Sequence, residues 1–146
     1  MRLRNVKNKE EIISKCKILI SNPNKLKGNW NKEFGNNNPL YIEIGMGKGD
    51  FIIENAKRYP NINFIGIEKY DSVIVRAIEK LPEDINNLRF VRMDARNIQD
   101  IFSKEVDRIY LNFSDPWPKD RHARRRLTSP EFLSRYEALF KNNRVI

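Results

Sequence analysis

The sequence predicts an α/β fold: a Rossmann-like, central, mostly parallel sheet with helices on both faces. Three observations predict it. From Leu40 onward, short apolar runs alternate with amphipathic helical patterns. The first apolar run passes directly into a glycine-rich loop, Gly45-Met46-Gly47-Lys48-Gly49. Acidic residues stand at or near the ends of the first three runs, at Glu43, Glu68 and Asp94. Strands separated by helices pair in parallel through right-handed crossovers, and ligands of such sheets bind at the carboxyl ends of the strands.

The elements follow in order. Residues 10–20 carry a helical pattern with Ile12, Ile13, Cys16, Ile18, Leu19 and Ile20 as its apolar set, ended by Asn22-Pro23-Asn24. Gly35-Asn36-Asn37-Asn38-Pro39 reads as a loop. Residues 1–38 are therefore expected to form a basic N-terminal extension with one helix, and residues 39–146 the main domain. Within that domain residues 40–44 read as a strand and 49–59 as a helix stopped by Pro60. Residues 62–67 form the second strand, 70–81 a helix closed by Pro82, and 88–93 the third strand. A short helix is expected at 98–102 and a fourth strand at 106–113. Ser129-Pro130-Glu131 begins a helix, with serine as cap and proline in the first turn, that runs to about Phe140. Arg144-Val145-Ile146 reads as the start of a fifth strand.

Composition narrows the function classes. The 146 residues have 40% apolar content and a formal charge of +9, which favours folding and a polyanionic partner. Cys16 is the single cysteine, so no internal disulfide forms, and the single histidine excludes multi-histidine metal sites. No apolar run is long enough to span a bilayer, and Met1-Arg2-Leu3-Arg4 opens no signal peptide. A cytoplasmic protein without a metal is expected.

Glycines in the loop let the backbone turn sharply and approach a ligand without a Cβ clash. Their spacing is G-x-G-x-G, not the G-x-G-x-x-G of dinucleotide folds. A tight strand-to-helix turn accounts for glycines alone. The added carboxylates point further: Glu68 stands where a ribose-binding acid belongs, and Asp94 closes the third strand. Glu43 just before the glycines suits a cationic ligand and repels a pyrophosphate. This favours S-adenosylmethionine, with its sulfonium and ammonium, over NAD.

The fourth strand leads into Ser114-Asp115-Pro116-Trp117-Pro118-Lys119. Two prolines stiffen the backbone that carries a carboxylate and an indole. The carboxylate can accept from guanine N1–H and N2–H2 and the indole can stack on a base. A packing role for Trp117 and a helix-capping role for Asp115 remain the structural alternatives. Lys119, Arg121, His122, Arg124, Arg125 and Arg126 follow at once, so a phosphate backbone can lie beside the reactive centre.

These residues resemble a known family. The run from Tyr110 to Lys119, followed by Arg121-His122 and Arg124-Arg125-Arg126-Leu127-Thr128, closely resembles the signature of bacterial tRNA (guanine-N7-)-methyltransferases. Tyr41 to Gly49 resembles that family's cofactor loop, and Ile65-Gly66-Ile67-Glu68 its second-strand end. The resemblance implies a class I methyltransferase fold that uses S-adenosylmethionine and releases S-adenosylhomocysteine. It implies cofactor contacts from Glu43, Gly45, Gly47, Glu68, Asp94 and Asp115, and assigns catalysis to Asp115. Trp117, Lys119, Arg121, His122, Arg124, Arg125 and Arg126 are the implied contacts to tRNA, whose target is a guanine of the variable loop. The family pattern continues with a Phe-Lys-Thr-Asp segment, a Thr-x-x-Glu segment and further strands beyond Ile146, so the domain is expected to be incomplete at its C-terminus. Three other readings stand beside this one: a cofactor- or RNA-binding chain without turnover, a base-amino methyltransferase, and an NAD-dependent oxidoreductase.

Overall fold

The computed structural model describes residues 8–111 and 135–141. Four strands form one parallel sheet: β1 (Leu40–Ile44), β2 (Asn63–Glu68), β3 (Leu88–Arg92) and β4 (Arg108–Tyr110), in the order β3-β2-β1-β4. The chain builds outward from β1 through β2 to β3, then returns to the other side of β1. That reversal opens a crevice at the carboxyl end of β1.

The register sorts the side chains. Ile42 lies opposite Ile65 on one side and Ile109 on the other. Leu40, Ile42 and Ile44 belong with Ile65, Ile67, Val91 and Ile109 to one apolar cluster, while Phe64, Leu88 and Phe90 belong to a second. β2 is buried along its whole length because it has strand neighbours on both edges and cover on both faces.

Over the second cluster lie α3 (Asp50–Arg58), which buries Ile52, Ile53 and Ala56, and α4 (Asp71–Glu79), which buries Ile74, Val75 and Ala77. The Asn87 amide nitrogen lies 2.9–3.0 Å from the carbonyls of Ala56, Tyr59 and Ile62, tying the end of α3 to the start of β2. The first cluster is covered by α2 (Trp30–Phe34), by a 3-10 turn (Ala95–Asp100), and by Phe102, Tyr136 and Leu139. Trp30 is fully buried there and donates its indole N–H to the Ile101 carbonyl at 2.7 Å.

Several boundaries differ from the sequence expectation. The helix expected over residues 10–20 is α1 (Lys9–Lys15). Ile18 to Ile20 leave the helix and pair with β3: Ile20 N donates to Phe90 O at 2.9 Å and Phe90 N to Ile18 O at 2.8 Å. An open strand edge offers unpaired backbone groups, and an apolar β-branched stretch satisfies them. The short helix expected at 98–102 is a 3-10 turn that starts earlier, because Asp94 caps it by accepting the Arg96 amide. Of the strand expected over 106–113, residues 112–113 lie outside the described residues and β4 starts only at Arg108: Val106 instead pairs with Phe140, with Val106 N donating to Leu139 O and Lys141 N to Val106 O, both at 2.9 Å. Most of the helix expected over 129–140 lies outside the described residues, although 135–137 are helical. The expected fifth strand, 144–146, lies outside them entirely.

Candidate functional site

Three glycines shape the turn from β1 into α3, with φ of 73° at Gly45, 59° at Gly47 and 82° at Gly49. These are left-handed conformations that side chains disfavour. The loop is anchored on β2, since Gly45 N and Met46 N both donate to Ile67 O, at 2.9 and 3.0 Å. Met46 turns inward and is fully buried, with its sulfur over Gly66, where a Cβ would collide with it. A Cβ on Gly47 would meet no atom within 4 Å. The loop therefore presents Gly47 to open space, the side from which a ligand can approach its backbone.

Glu68, only 8% exposed, joins this loop to the next helix. Its Oε1 accepts from Gly47 N at 3.1 Å and its Oε2 from Tyr70 N at 3.1 Å. Each oxygen keeps a further lone pair, so hydroxyl donors can add to this arrangement without displacing either amide. Met93 N donates to Glu68 O at 3.2 Å, which sets Asp94 beside the end of β2. Asp94 Oδ1 accepts from Arg96 N at 2.9 Å, and its Oδ2 lies 3.0 Å from the Arg96 guanidinium. Partial burial pushes the Asp94 carboxyl up, but the Arg96 hydrogen bonds and charge, with Lys69, outweigh it and hold the group below the usual carboxylate value. Glu43 is wholly buried, in register with Gly66 and Tyr110, one residue short of the end of β1.

The fold thus gathers Glu43, Gly45, Gly47, Glu68 and Asp94 at one end of the sheet. Asp115, Trp117, Lys119, Arg121, His122, Arg124, Arg125 and Arg126 lie outside the described residues. Sequence reasoning missed Arg96, although an Asp followed two residues later by a cation at a helix start was a readable signal. It also passed over Tyr70, 57% exposed, with the Lys69 ammonium 5.0 Å from its ring centre. Among the described residues no group of three potential metal ligands occurs, and no helix is long and apolar enough to cross a membrane.

Residues 37–146 match the profile of a family described as "Putative methyltransferase". The tRNA (guanine-N(7)-)-methyltransferase of Lachnoclostridium phytofermentans is 60% identical over 139 residues, covering 94% of this chain and 65% of that protein. The enzyme of the same name from Lysinibacillus sphaericus is 50% identical over 147 residues, covering 98% and 68%. The chain belongs to the bacterial tRNA (guanine-N(7)-)-methyltransferase family. It spans about two thirds of the length of these relatives, 65% of the first and 68% of the second. Solved methyltransferases share the fold. The structure of an antibiotic-related methyltransferase aligns with a TM-score of 0.64 at 20% identity, covering 80% of this chain and 60% of that one. The 16S rRNA (adenine(1408)-N(1))-methyltransferase of Catenulisporales acidiphilia aligns at 0.60 with 17% identity, covering 78% and 52%. Family membership matches the parallel sheet and the glycine loop described above.

Proposed function

We propose that the protein carrying this sequence transfers a methyl group from S-adenosylmethionine to N7 of a guanine in the variable loop of tRNA. Residues 39–146 are the cofactor-binding unit in this reading, and residues 1–38 its basic extension. The observation that carries it is the Glu68 carboxylate bridging the open glycine loop and the start of α4, in a chain 60% identical to a tRNA (guanine-N(7)-)-methyltransferase.

The residues present fit the cofactor. The Gly47 face has room for a ligand, Glu68 has acceptors for ribose hydroxyls, and the nearby carboxylates suit a cationic molecule. When bound, the cofactor supplies an electrophilic methyl group on a sulfonium. Guanine N7 has a lone pair and no proton, so the chain needs no base before transfer. Its residues act by positioning and charge. Asp115 orients the guanine through N1–H and N2–H2 and favours the positive charge that develops on the ring. Trp117 shapes the base pocket. Lys119, Arg121, His122, Arg124, Arg125 and Arg126 hold the phosphate backbone.

Two measurements test this reading. Calorimetry should show binding of S-adenosylhomocysteine and none of NAD. Labelled-methyl transfer to unmodified tRNA should yield 7-methylguanosine by mass spectrometry, and Asp115→Ala should abolish it while cofactor binding persists. A methylated exocyclic amine in place of N7, or an Asp115→Ala enzyme as active as wild type, overturns the assignment.

A further inference from the structure

Gly66 lies in the interior of β2, in register with Glu43 on β1 and Phe90 on β3. A glycine inside a buried strand forgoes side-chain packing and weakens the strand. Its backbone does not demand glycine, because its φ is not among the positive values adopted by Gly45, Gly47 and Gly49. The space does. A Cβ on Gly66 would collide with Met46 Sδ and lie 3.3 Å from both Ile52 Cδ1 and Phe90 Cδ1. Ile52 and Phe90 belong to α3 and β3, which pack on β2 in any case. Met46 comes from the glycine loop.

Met46 has no exposed surface and joins the second apolar cluster with Ile52, Phe64, Leu88 and Phe90. The loop is thereby fastened to two consecutive residues of β2. The Gly45 and Met46 amides donate to Ile67 O at 2.9 and 3.0 Å, and the Met46 side chain fills the space over Gly66. The next amide along the loop, Gly47 N, is the one that donates to Glu68 Oε1 at 3.1 Å. The depth to which Met46 sinks therefore sets the distance from Gly47 to Glu68. A close-packed interior transmits such a displacement rather than absorbing it.

We infer that Met46 and Gly66 are positioning residues for the cofactor. The side chain of one, seated in the space left by the other, holds the Gly47 amide and the Glu68 carboxylate at the spacing that the cofactor requires. The Met46 side chain is wholly buried and acts through the loop backbone, while the open face of Gly47 is left to the ligand. The inference rests on the S-adenosylmethionine part of the function proposed above. It adds a determinant of cofactor affinity that lies beneath the loop, inside the core.

The test compares wild type with Gly66→Ala, Met46→Ala, the double variant, and Leu88→Ala, which truncates the same cluster at the amino end of β3. Gly66→Ala should weaken S-adenosylhomocysteine binding roughly tenfold by calorimetry and shift the Gly47 amide resonance. Met46→Ala leaves a void over Gly66, frees the loop and should also weaken binding. In the double variant the methyl group added at position 66 enters the space vacated at position 46. Affinity should then return to within about threefold of wild type, a recovery that two independent losses of stability cannot produce. Leu88→Ala should lower stability in urea and leave affinity unchanged. Wild-type affinity in Gly66→Ala overturns the inference, as does a double variant that binds no better than Gly66→Ala, or affinity that merely follows stability across all four variants. If Gly66→Ala does not fold, Met46→Ala and Leu88→Ala decide: weaker binding in the first alone supports the inference, and equal binding overturns it. If wild type binds no S-adenosylhomocysteine, the cofactor reading itself fails and the inference falls with it.

Discussion

The Glu68 carboxylate accepts the Gly47 amide at 3.1 Å and, through its other oxygen, the Tyr70 amide at the same distance. One side chain thereby sets the shape of the glycine loop and the start of α4 before any ligand arrives. Glu68→Gln should separate the two roles. Its amide has one acceptor and one donor, so an NH2 must face one of the two N–H groups. Charge-assisted hydrogen bonds are worth about 1.5–3 kcal/mol, so a loss of stability near the lower figure is expected in urea unfolding. S-Adenosylhomocysteine affinity by calorimetry should fall at least roughly tenfold, since loop shape and the proposed ribose acceptor are lost together.

The loop glycines should differ in a predictable order. At Gly49 the φ of 82° is unfavourable and a Cβ would lie 2.9 Å from the Ala77 Cβ and 3.1 Å from Ile53 Cδ1. Gly49→Ala should therefore cost about 2–4 kcal/mol, combining left-handed strain with overpacking. Gly47→Ala meets open space and should cost only the backbone strain, about 1–2 kcal/mol. Its larger effect should appear in cofactor affinity, because the new methyl group occupies the face proposed for the ligand. Thermal melts with and without S-adenosylhomocysteine check both halves.

Glu105 anchors the N-terminal region to the domain. Its two oxygens accept from Gly28 N at 2.7 Å, Ser103 N at 2.8 Å and Trp30 N at 3.2 Å. Glu105→Ala should lower stability by about 2–3 kcal/mol and expose Trp30, seen as a red shift of its fluorescence. Cofactor affinity should stay at the wild-type level, because these contacts lie at the other end of the strands. Unchanged stability would show that α2 docks by apolar packing alone.

Asp94 carries a pH signature. Its carboxyl titrates below the ordinary value, burial opposing ionisation but the Arg96 hydrogen bonds and charge prevailing. A depressed folded value means the ionised form is preferred in the folded state. The stabilisation is therefore complete above the unfolded carboxylate value and is lost as pH falls through the folded one. Asp94→Asn should flatten this acid limb of the stability curve, and NMR titration of the Asp94 carboxyl should show the lowered midpoint. Arg96→Ala should move that midpoint up.

Much of this protein is legible in the order of its residues. The alternation of apolar runs with amphipathic helices fixes four strands and the helices α3 and α4 to within a few residues. Periodicity reports which face is buried, and burial of that face stabilises the element. The glycine spacing with Glu68 and Asp94 marks the carboxyl edge, because only glycine tolerates the φ values the turn requires. What the pattern cannot express is partnership between distant segments. Ile18 to Ile20 read as helix yet pair with β3, and Val106 reads as part of a long strand yet pairs with Phe140. Those outcomes depend on which backbone edge stands open nearby. The same holds for the Glu68 bridge, for Arg96 on Asp94, and for the Asn63 amide donating to Asn36 Oδ1. Each joins side chains or amides that a local pattern treats separately, and their hydrogen bonds exist only once the sheet has set them side by side.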